Sequence, residues 1–118
     1  VWVDHLRDGD QKLAELLDLG LVSVHPFVVG ELALGRLRQR DFILEALLQL
    51  PRTVVATDGE VLAFISRQKL FGKGIGYVDV HLLAAVRLTP GSRLWSRDRR
   101  LAETAHGLGL AFDGSELA

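Results

Sequence analysis

Cysteine, methionine and long apolar runs are all absent from this sequence of 118 residues. Without cysteine, neither disulfides nor zinc–thiolate sites can hold the fold, which suits a reducing cytosol. No apolar run reaches the roughly 18 residues that a membrane-spanning helix needs, and no signal peptide is recognisable. These absences predict a cytoplasmic protein that has no membrane segment.

An excess of positive charge is also lacking, because 14 basic and 15 acidic residues leave a formal net charge of −1. A protein that binds nucleic acid through one broad surface is usually basic. Any such contact must therefore depend on local clusters, for which solvated helix faces are the alternative interpretation. The basic clusters are Arg36, Arg38 and Arg40, then Lys69 and Lys73, and then Arg97, Arg99 and Arg100.

Hydrophobic residues are plentiful at 48% of the chain, and the length fits one domain over residues 1–118. Helix-like and strand-like segments alternate. The predicted helices cover residues 10–19, 26–39, 41–50, 58–71, 77–88 and 98–106, and the predicted strands cover 21–25, 53–57, 93–96 and 110–113. Because such alternation is typical of a parallel sheet covered by helices, we predict an α/β fold with a mainly parallel central sheet.

Two acidic residues lie on apolar helix faces. Glu31 shares a face with Phe27 and Leu34, and Asp79 shares one with Leu83. An ionised carboxylate that faces a core costs several kcal/mol unless a partner compensates it. Neither acid has a basic neighbour three or four positions away, so each requires a distant basic residue, a capping amide or a metal ion.

Structural roles remain open for these acids and for Asp98, which follows the strand at 93–96. Asp79 and Asp98 could each cap a helix, and a buried ion pair is the main alternative for Glu31. Ligands of open parallel sheets bind beyond the carboxyl ends of the strands, where we expect the three acids to converge. Clustered carboxylates repel one another without a cation, and oxygen ligands suit Mg²⁺ or Mn²⁺.

Four segments carry a resemblance to a known family. They are VWVDHLR (1–7), HPFVVGELALG (25–35), GKGIGYVDVHLLAA (72–85) and LWSRDRRL (94–101). Taken singly they are weak, but in this order and spacing they resemble PIN domains of VapC-type toxins over essentially the whole chain. The resemblance implies a three-layer α/β/α domain and a metal-dependent endoribonuclease that hydrolyses RNA phosphodiester bonds.

Catalytic acids of that family correspond to Glu31, Asp79 and Asp98, which the resemblance implies are ligands of Mg²⁺ or Mn²⁺. The family's first catalytic Asp lies in an Asp-Thr-Ser segment directly before the Val-Trp pair, and so just upstream of Val1. We therefore expect residues 1–118 to be an N-terminally incomplete PIN domain. Asp4 is not a substitute, because it matches a variable surface position of the family.

Substrate and partners also follow from the resemblance. Ser96 matches a small hydroxyl residue that the family often keeps beside the metal or phosphate, and we assign it to RNA binding together with Arg97 and Lys73. His81 is turned well off the face of Asp79, and we interpret it as a structural histidine. A VapB-type antitoxin that blocks the site, often with an inserted arginine, and a toxin homodimer are further implications.

Other functions remain open at this point. A nuclease of the same fold could act on structured DNA or on maturing RNA, although the chain lacks the insertions common in such enzymes. A non-catalytic PIN-like module that binds RNA or a partner gains weight if the first catalytic Asp is truly missing. A phospho-receiver domain is disfavoured, because no Lys closes an apolar strand here.

Overall fold

The computed structural model describes residues 1–113, of which 58% are helical. Seven helices lie within this range: α1 (Trp2–Asp8), α2 (Gln11–Asp18), α3 (Pro26–Leu34), α4 (Arg40–Leu48), α5 (Asp58–Gln68), α6 (Tyr77–Leu88) and α7 (Arg99–Gly107). The chain divides into two compact units, Val1–Thr53 and a second that begins at Val54. The prediction that residues 1–118 form one domain stays a prediction.

The predicted parallel sheet is wrong for residues 1–113, which contain no strand, and the three-layer PIN architecture is therefore not observed there. Two isolated parallel bridges take the place of the sheet. One joins Val24 to Arg52, and the other joins Leu94 to Ala111. Each bridge lies within one unit, and only the second joins two runs that were predicted as strands, because Arg52 precedes the predicted strand at 53–57. Both bridges are parallel, but each consists of a single residue pair.

Competing hydrogen bonds explain why the run at 53–57 does not extend into a strand. The backbone N–H of Val54 donates to Thr89 Oγ1 at 3.2 Å, and that of Thr57 donates to Glu60 Oε1 at 2.9 Å. Strand pairing requires such donors for a neighbouring backbone. Because side chains accept from them here, the run ends as the N-terminal cap of α5.

The Val1–Thr53 unit has a core centred on α3 and α4. Its buried residues are Val24, Leu32 and Leu47, and the partly buried Trp2, Leu6, Val28, Val29, Ile43, Leu44 and Leu50 pack against them. The prediction that Pro26 opens a helix is confirmed, and the His25 side chain caps that helix by accepting from Phe27 N–H at 3.0 Å. The rigid φ of proline suits a first helical turn.

Several helix boundaries in this unit differ from those predicted. Helix α1 was not predicted, and α3 ends at Leu34, several residues before the expected end at 39. Asp41 was a candidate cap at the start of the predicted helix 41–50, but α4 begins after Gln39, which adopts a left-handed φ of 52°, so Asp41 lies in the first turn. Short-range patterns locate helices better than they locate helix ends.

The unit that begins at Val54 is formed by α5, α6 and α7. Helix α5 begins with a capping box, in which Thr57 Oγ1 accepts from Glu60 N–H at 3.1 Å. Helix α6 has the predicted bounds and the largest number of buried residues, among them the fully buried Leu83. Within residues 1–113 no helix has both the length and the apolar character needed to cross a bilayer.

Candidate active site

Asp79 lies in the first turn of α6, immediately after the glycine-rich loop at 72–76. Its Oδ2 accepts a hydrogen bond of 3.3 Å from Gly76 N–H, the residue that precedes the helix. The side chain is half-buried. Asp79 is therefore not the N-cap residue, which is Gly76, but it accepts from the N-cap backbone as the third residue of a capping box does, and this contact restrains the carboxylate at the N-terminal end of α6. A negative charge is favourable there because the helix dipole is positive at this end.

Asp98 has a closely similar setting at the start of α7. Its Oδ1 accepts from Leu101 N–H at 3.0 Å, which makes it the N-cap of the helix. Its own backbone N–H donates to Ser96 Oγ, also at 3.0 Å. The Ser96 hydroxyl is therefore held directly beside Asp98, and its role beside a metal or phosphate stays a prediction. The Ser96 oxygen accepts a hydrogen bond from the backbone, so its hydroxyl proton remains available for donation to another group.

Side-chain packing joins α6, α7 and the glycine-rich loop in one region of this unit. Leu83 of α6 and Leu101 of α7 belong to the same buried cluster, and Ile75 of the glycine-rich loop packs against it. A second contact lies at the surface, where Arg100 covers Gly74 so closely that a Cβ added there would lie 2.6 Å from Arg100 Nη1. The two segments that present Asp79 and Asp98 are therefore neighbours.

Glu31 lies in the middle of α3, in the other unit, and its side chain is exposed. The helix face that Glu31 shares with Phe27 and Leu34 is exposed as well, since the relative accessibility is 38% for Phe27 and 85% for Leu34. The inference that Glu31 faces the core of its own unit is therefore wrong. No acidic or basic side chain within residues 1–113 forms an ion pair with Glu31, so the ion-pair alternative has no support in the described chain.

Neither unit holds by itself, within residues 1–113, a group of three or more His, Asp or Glu side chains placed to bind a metal ion. Asp79 and Asp98 lie on neighbouring segments of one unit, and the predicted convergence of the three acids stays a prediction. The donor chemistry fits a hard cation, because carboxylate oxygens and a hydroxyl are the groups present. Each aspartate uses one oxygen in its cap, and a carboxylate offers two.

The predicted phosphate-binding residues have different surroundings. Lys73 is exposed in the glycine-rich loop, directly before Gly74. The Arg97 guanidinium lies 5.5 Å from the centre of the Trp95 ring, a cation–π contact that holds it beside Asp98 along the chain. Their assignment to RNA binding stays a prediction. Arg100 belongs to the third basic cluster of the sequence, and its contact with Gly74 was not predicted, although the glycines at 72–76 were a signal for a close approach to the backbone.

A polar cluster that the sequence did not predict joins the starts of α5 and α6. Tyr77 Oη donates to Asp58 Oδ1 at 3.2 Å, and His81 Nε2 lies 3.7 Å from the same oxygen. The Tyr77 and His81 rings meet edge to face, with centroids 4.7 Å apart. Partial desolvation, followed by the hydrogen bond and charge of Asp58, raises the pKa of the Tyr77 phenol above its usual value of 10.0. His81 is only 3% exposed, in keeping with a structural histidine.

Comparison with curated proteins gives two clear relatives. Both are proteins called Ribonuclease VapC32, from the CDC 1551 and H37Rv strains of Mycobacterium tuberculosis. Each is 45% identical to this chain over 111 residues, which cover 94% of this chain and 90% of the relative. No family model matches the sequence, and no solved structure gives a significant match.

Proposed function

This chain belongs to the VapC-type toxin ribonucleases, and on that premise we propose that it cleaves RNA internally with Mg²⁺ or Mn²⁺. The observation that carries the proposal is the 45% identity over 94% of the chain to a protein named as a ribonuclease. A non-catalytic binding module accounts less well for this likeness. The paired settings of Asp79 and Asp98 support the assignment of these residues to the site.

Asp79 and Asp98 are the residues that would hold the cation from the unit that begins at Val54. Each is tethered through one oxygen to a backbone N–H at a helix start, which restricts the rotation of the carboxylate. A restrained ligand loses less conformational entropy when it binds a cation. When bound, the ion supplies an activated water and stabilises the negative charge that develops on the phosphodiester. Glu31 is the third acid that we propose for this role.

The remaining site residues act on the substrate. The Ser96 hydroxyl is held beside Asp98 by the 3.0 Å contact with the Asp98 N–H, and its proton can be donated to a phosphate oxygen. Lys73 and Arg97 supply positive charge for the RNA backbone, which carries most of the affinity of nucleic-acid binding. These contacts orient the RNA and require no titratable base from His81, which is buried against Tyr77 and Asp58.

Partners of the protein are proposed from the family alone. We propose a VapB-type antitoxin that binds the toxin and blocks its site, and a homodimer of the toxin. A cytoplasmic site of action is proposed on the same basis. Co-purification of this chain with the product of an adjacent antitoxin gene, and loss of RNA cleavage in that complex, would be the expected results.

The direct test is an RNA cleavage assay with the full-length protein and a pool of single-stranded oligonucleotides. We expect cleavage with Mg²⁺ or Mn²⁺, no cleavage after addition of excess EDTA, and recovery when either ion is restored. Products should carry a 5′-phosphate and a 3′-hydroxyl, because water attacks the phosphorus, the P–O3′ bond breaks and the 3′ oxygen leaves with a proton. RNA that is bound but never cut, across the whole pool and with both ions, would contradict the proposal and favour the binding-module alternative.

A further inference from the structure

Arg100 has a setting that differs from those of its basic neighbours in α7 and in the preceding loop. Arg99 is committed to Glu103, with Nε and Oε1 at 3.1 Å, and Arg97 lies over the Trp95 ring. The Arg100 guanidinium forms no hydrogen bond or ion pair with any side chain of residues 1–113. It is instead held by close packing on the backbone of Gly74.

Gly74 is suited to this contact in two ways. Its φ of +74° is a conformation that L-residues with a side chain rarely adopt. The absence of a Cβ also leaves the space that Arg100 occupies, since a Cβ would lie 2.6 Å from Nη1 and 3.2 Å from both Cδ and Cζ. The guanidinium is therefore laid across the glycine-rich loop, and not extended freely into solvent.

The contact lies next to both aspartates of the candidate site. Arg100 is two residues beyond Asp98, within the turn that Asp98 caps. Gly74 is two residues before Gly76, whose N–H binds Asp79. No ion pair joins Arg100 to Asp79 or to Asp98, so both carboxylates lie more than 4.0 Å from the guanidinium nitrogens. A positive charge is thus kept near the acids without being neutralised by them.

We infer that Arg100 binds a phosphate of the RNA backbone next to the cleaved bond, and that Gly74 positions it. A guanidinium presents two parallel N–H donors that match a phosphate, and it remains charged at all physiological pH values. Lys73, the residue before Gly74, places a second positive charge at the same loop. This inference deepens the proposed ribonuclease function and depends on it for the identity of the ligand.

Equilibrium RNA binding in EDTA tests the inference separately from cleavage. The probe is a fluorescein-labelled single-stranded RNA oligonucleotide, and its affinity is measured by anisotropy at several salt concentrations. Each phosphate contact contributes about 0.7 to the slope of log affinity against log salt for a single strand. We expect Arg100→Gln to lower the slope by about that amount and to weaken binding alike for different RNA sequences.

Arg99→Gln is the matched control, because it removes the same charge from the adjacent residue of the same helix. Its guanidinium is engaged by Glu103, so we expect a smaller loss of affinity and little change of slope. Equal effects of the two variants would mean that Arg100 acts only through overall charge, and would overturn the inference. Failure of the wild-type protein to bind RNA at low salt would overturn it as well.

Two glycine variants test the positioning role. Gly72 and Gly74 both have a φ of +74°, but an added Cβ would meet nothing within 4 Å at Gly72. Gly72→Ala and Gly74→Ala therefore impose comparable backbone strain, and thermal melts should show comparable destabilisation. We expect Gly74→Ala alone to reproduce the slope of Arg100→Gln, and the double variant Gly74→Ala/Arg100→Gln to show no further loss. Full additivity of the two changes would contradict a shared contact.

The cleavage assay distinguishes failure of this inference from failure of the proposed function. RNA cleavage with Mg²⁺ that is accompanied by an Arg100-independent salt slope would remove the phosphate contact and leave the ribonuclease in place. An Arg100-dependent slope in a protein that cuts no RNA would support the phosphate contact and contradict the proposed catalysis. If the protein cleaves RNA and the salt slope depends on Arg100, Arg100→Gln should raise KM for RNA more than it lowers kcat.

Discussion

The acids proposed for the site have unlike surroundings in the two units of the chain. In the unit that begins at Val54, Asp79 and Asp98 each accept a backbone N–H at a helix start, and their helices share a buried cluster. In the Val1–Thr53 unit, Glu31 stands in mid-helix on an exposed face and has no ion-pair partner within the described residues. Two acids are restrained by their own helices, and the third is not.

This difference separates two kinds of acid among those proposed for the site. A carboxylate that also caps a helix serves both stability and chemistry, so its removal changes two properties at once. An exposed acid among apolar neighbours contributes little to the stability of its unit. Folding alone therefore does not explain why Glu31 lies on an apolar helix face. Substitutions that keep the hydrogen bond but remove the charge can therefore separate catalysis from capping.

The largest effect is expected from Asp98→Asn. Loss of the charge should lower RNA cleavage on the order of a hundredfold, because a misplaced cation misplaces the attacking water. The free energy of unfolding should change little, because Asn is as good an N-cap as Asp. Paired cleavage assays and denaturant titrations on the wild type and the variant measure both quantities.

Asp98→Ala provides the contrast for that prediction. It removes the cap as well as the charge, and should therefore cost about 1 kcal/mol of stability in addition to the activity. If Asp98→Asn were as active as the wild type while Asp98→Ala unfolded more easily, Asp98 would be a helix cap and nothing more.

Asp79→Asn should have a comparable effect on cleavage and a different effect on stability. The amide oxygen can still accept from Gly76 N–H, and the loss of charge relieves any repulsion from Asp98. We expect the metal-free protein to melt at the same or a slightly higher temperature. A large fall in melting temperature would show that the charge itself is structural, through the helix dipole or an ion pair.

The smallest effect is expected from Glu31→Gln. An exposed and unrestrained ligand contributes at the lower end of a charge-assisted contact, about 1.5 kcal/mol, which corresponds to a fall in cleavage of roughly tenfold. Stability should change by less than about 0.5 kcal/mol, because the side chain is exposed. Glu45→Gln, which removes another exposed acid of the same unit, is the matched control and should leave cleavage unchanged. Equal activity of both variants would remove Glu31 from the site.

The helices of the site were largely predictable, because local signals determine them. Helix α6 has the predicted bounds, since its apolar residues follow a helical period between a glycine-rich loop and Thr89-Pro90-Gly91. The N-cap at Asp98 was anticipated as an alternative for the same reason, whereas Asp79 accepts from the N-cap residue Gly76. The sheet was predicted wrongly, because side chains such as Thr89 and Glu60 accept from backbone donors that a strand would need.

Long-range contacts account for the rest of what the sequence did not reveal. The packing of Arg100 on Gly74 joins residues far apart in the chain, and no periodicity encodes it. The contacts of Tyr77 and His81 with the same oxygen of Asp58 are also long-range, and they were missed for the same reason. The exposure of Glu31 could not be read from its apolar neighbours either, because Phe27 and Leu34 are themselves exposed.

The most direct test of the central claim is the affinity of the full-length protein for Mn²⁺, measured by the paramagnetic resonance signal of the free ion. Wild type, Asp79→Asn, Asp98→Asn, Glu31→Gln and the control Glu45→Gln are titrated in the absence of RNA. We expect the three site substitutions to weaken Mn²⁺ binding, the two aspartates most strongly, and the control to bind as the wild type does. Unchanged Mn²⁺ affinity in all three site variants would contradict the assignment of these acids as metal ligands.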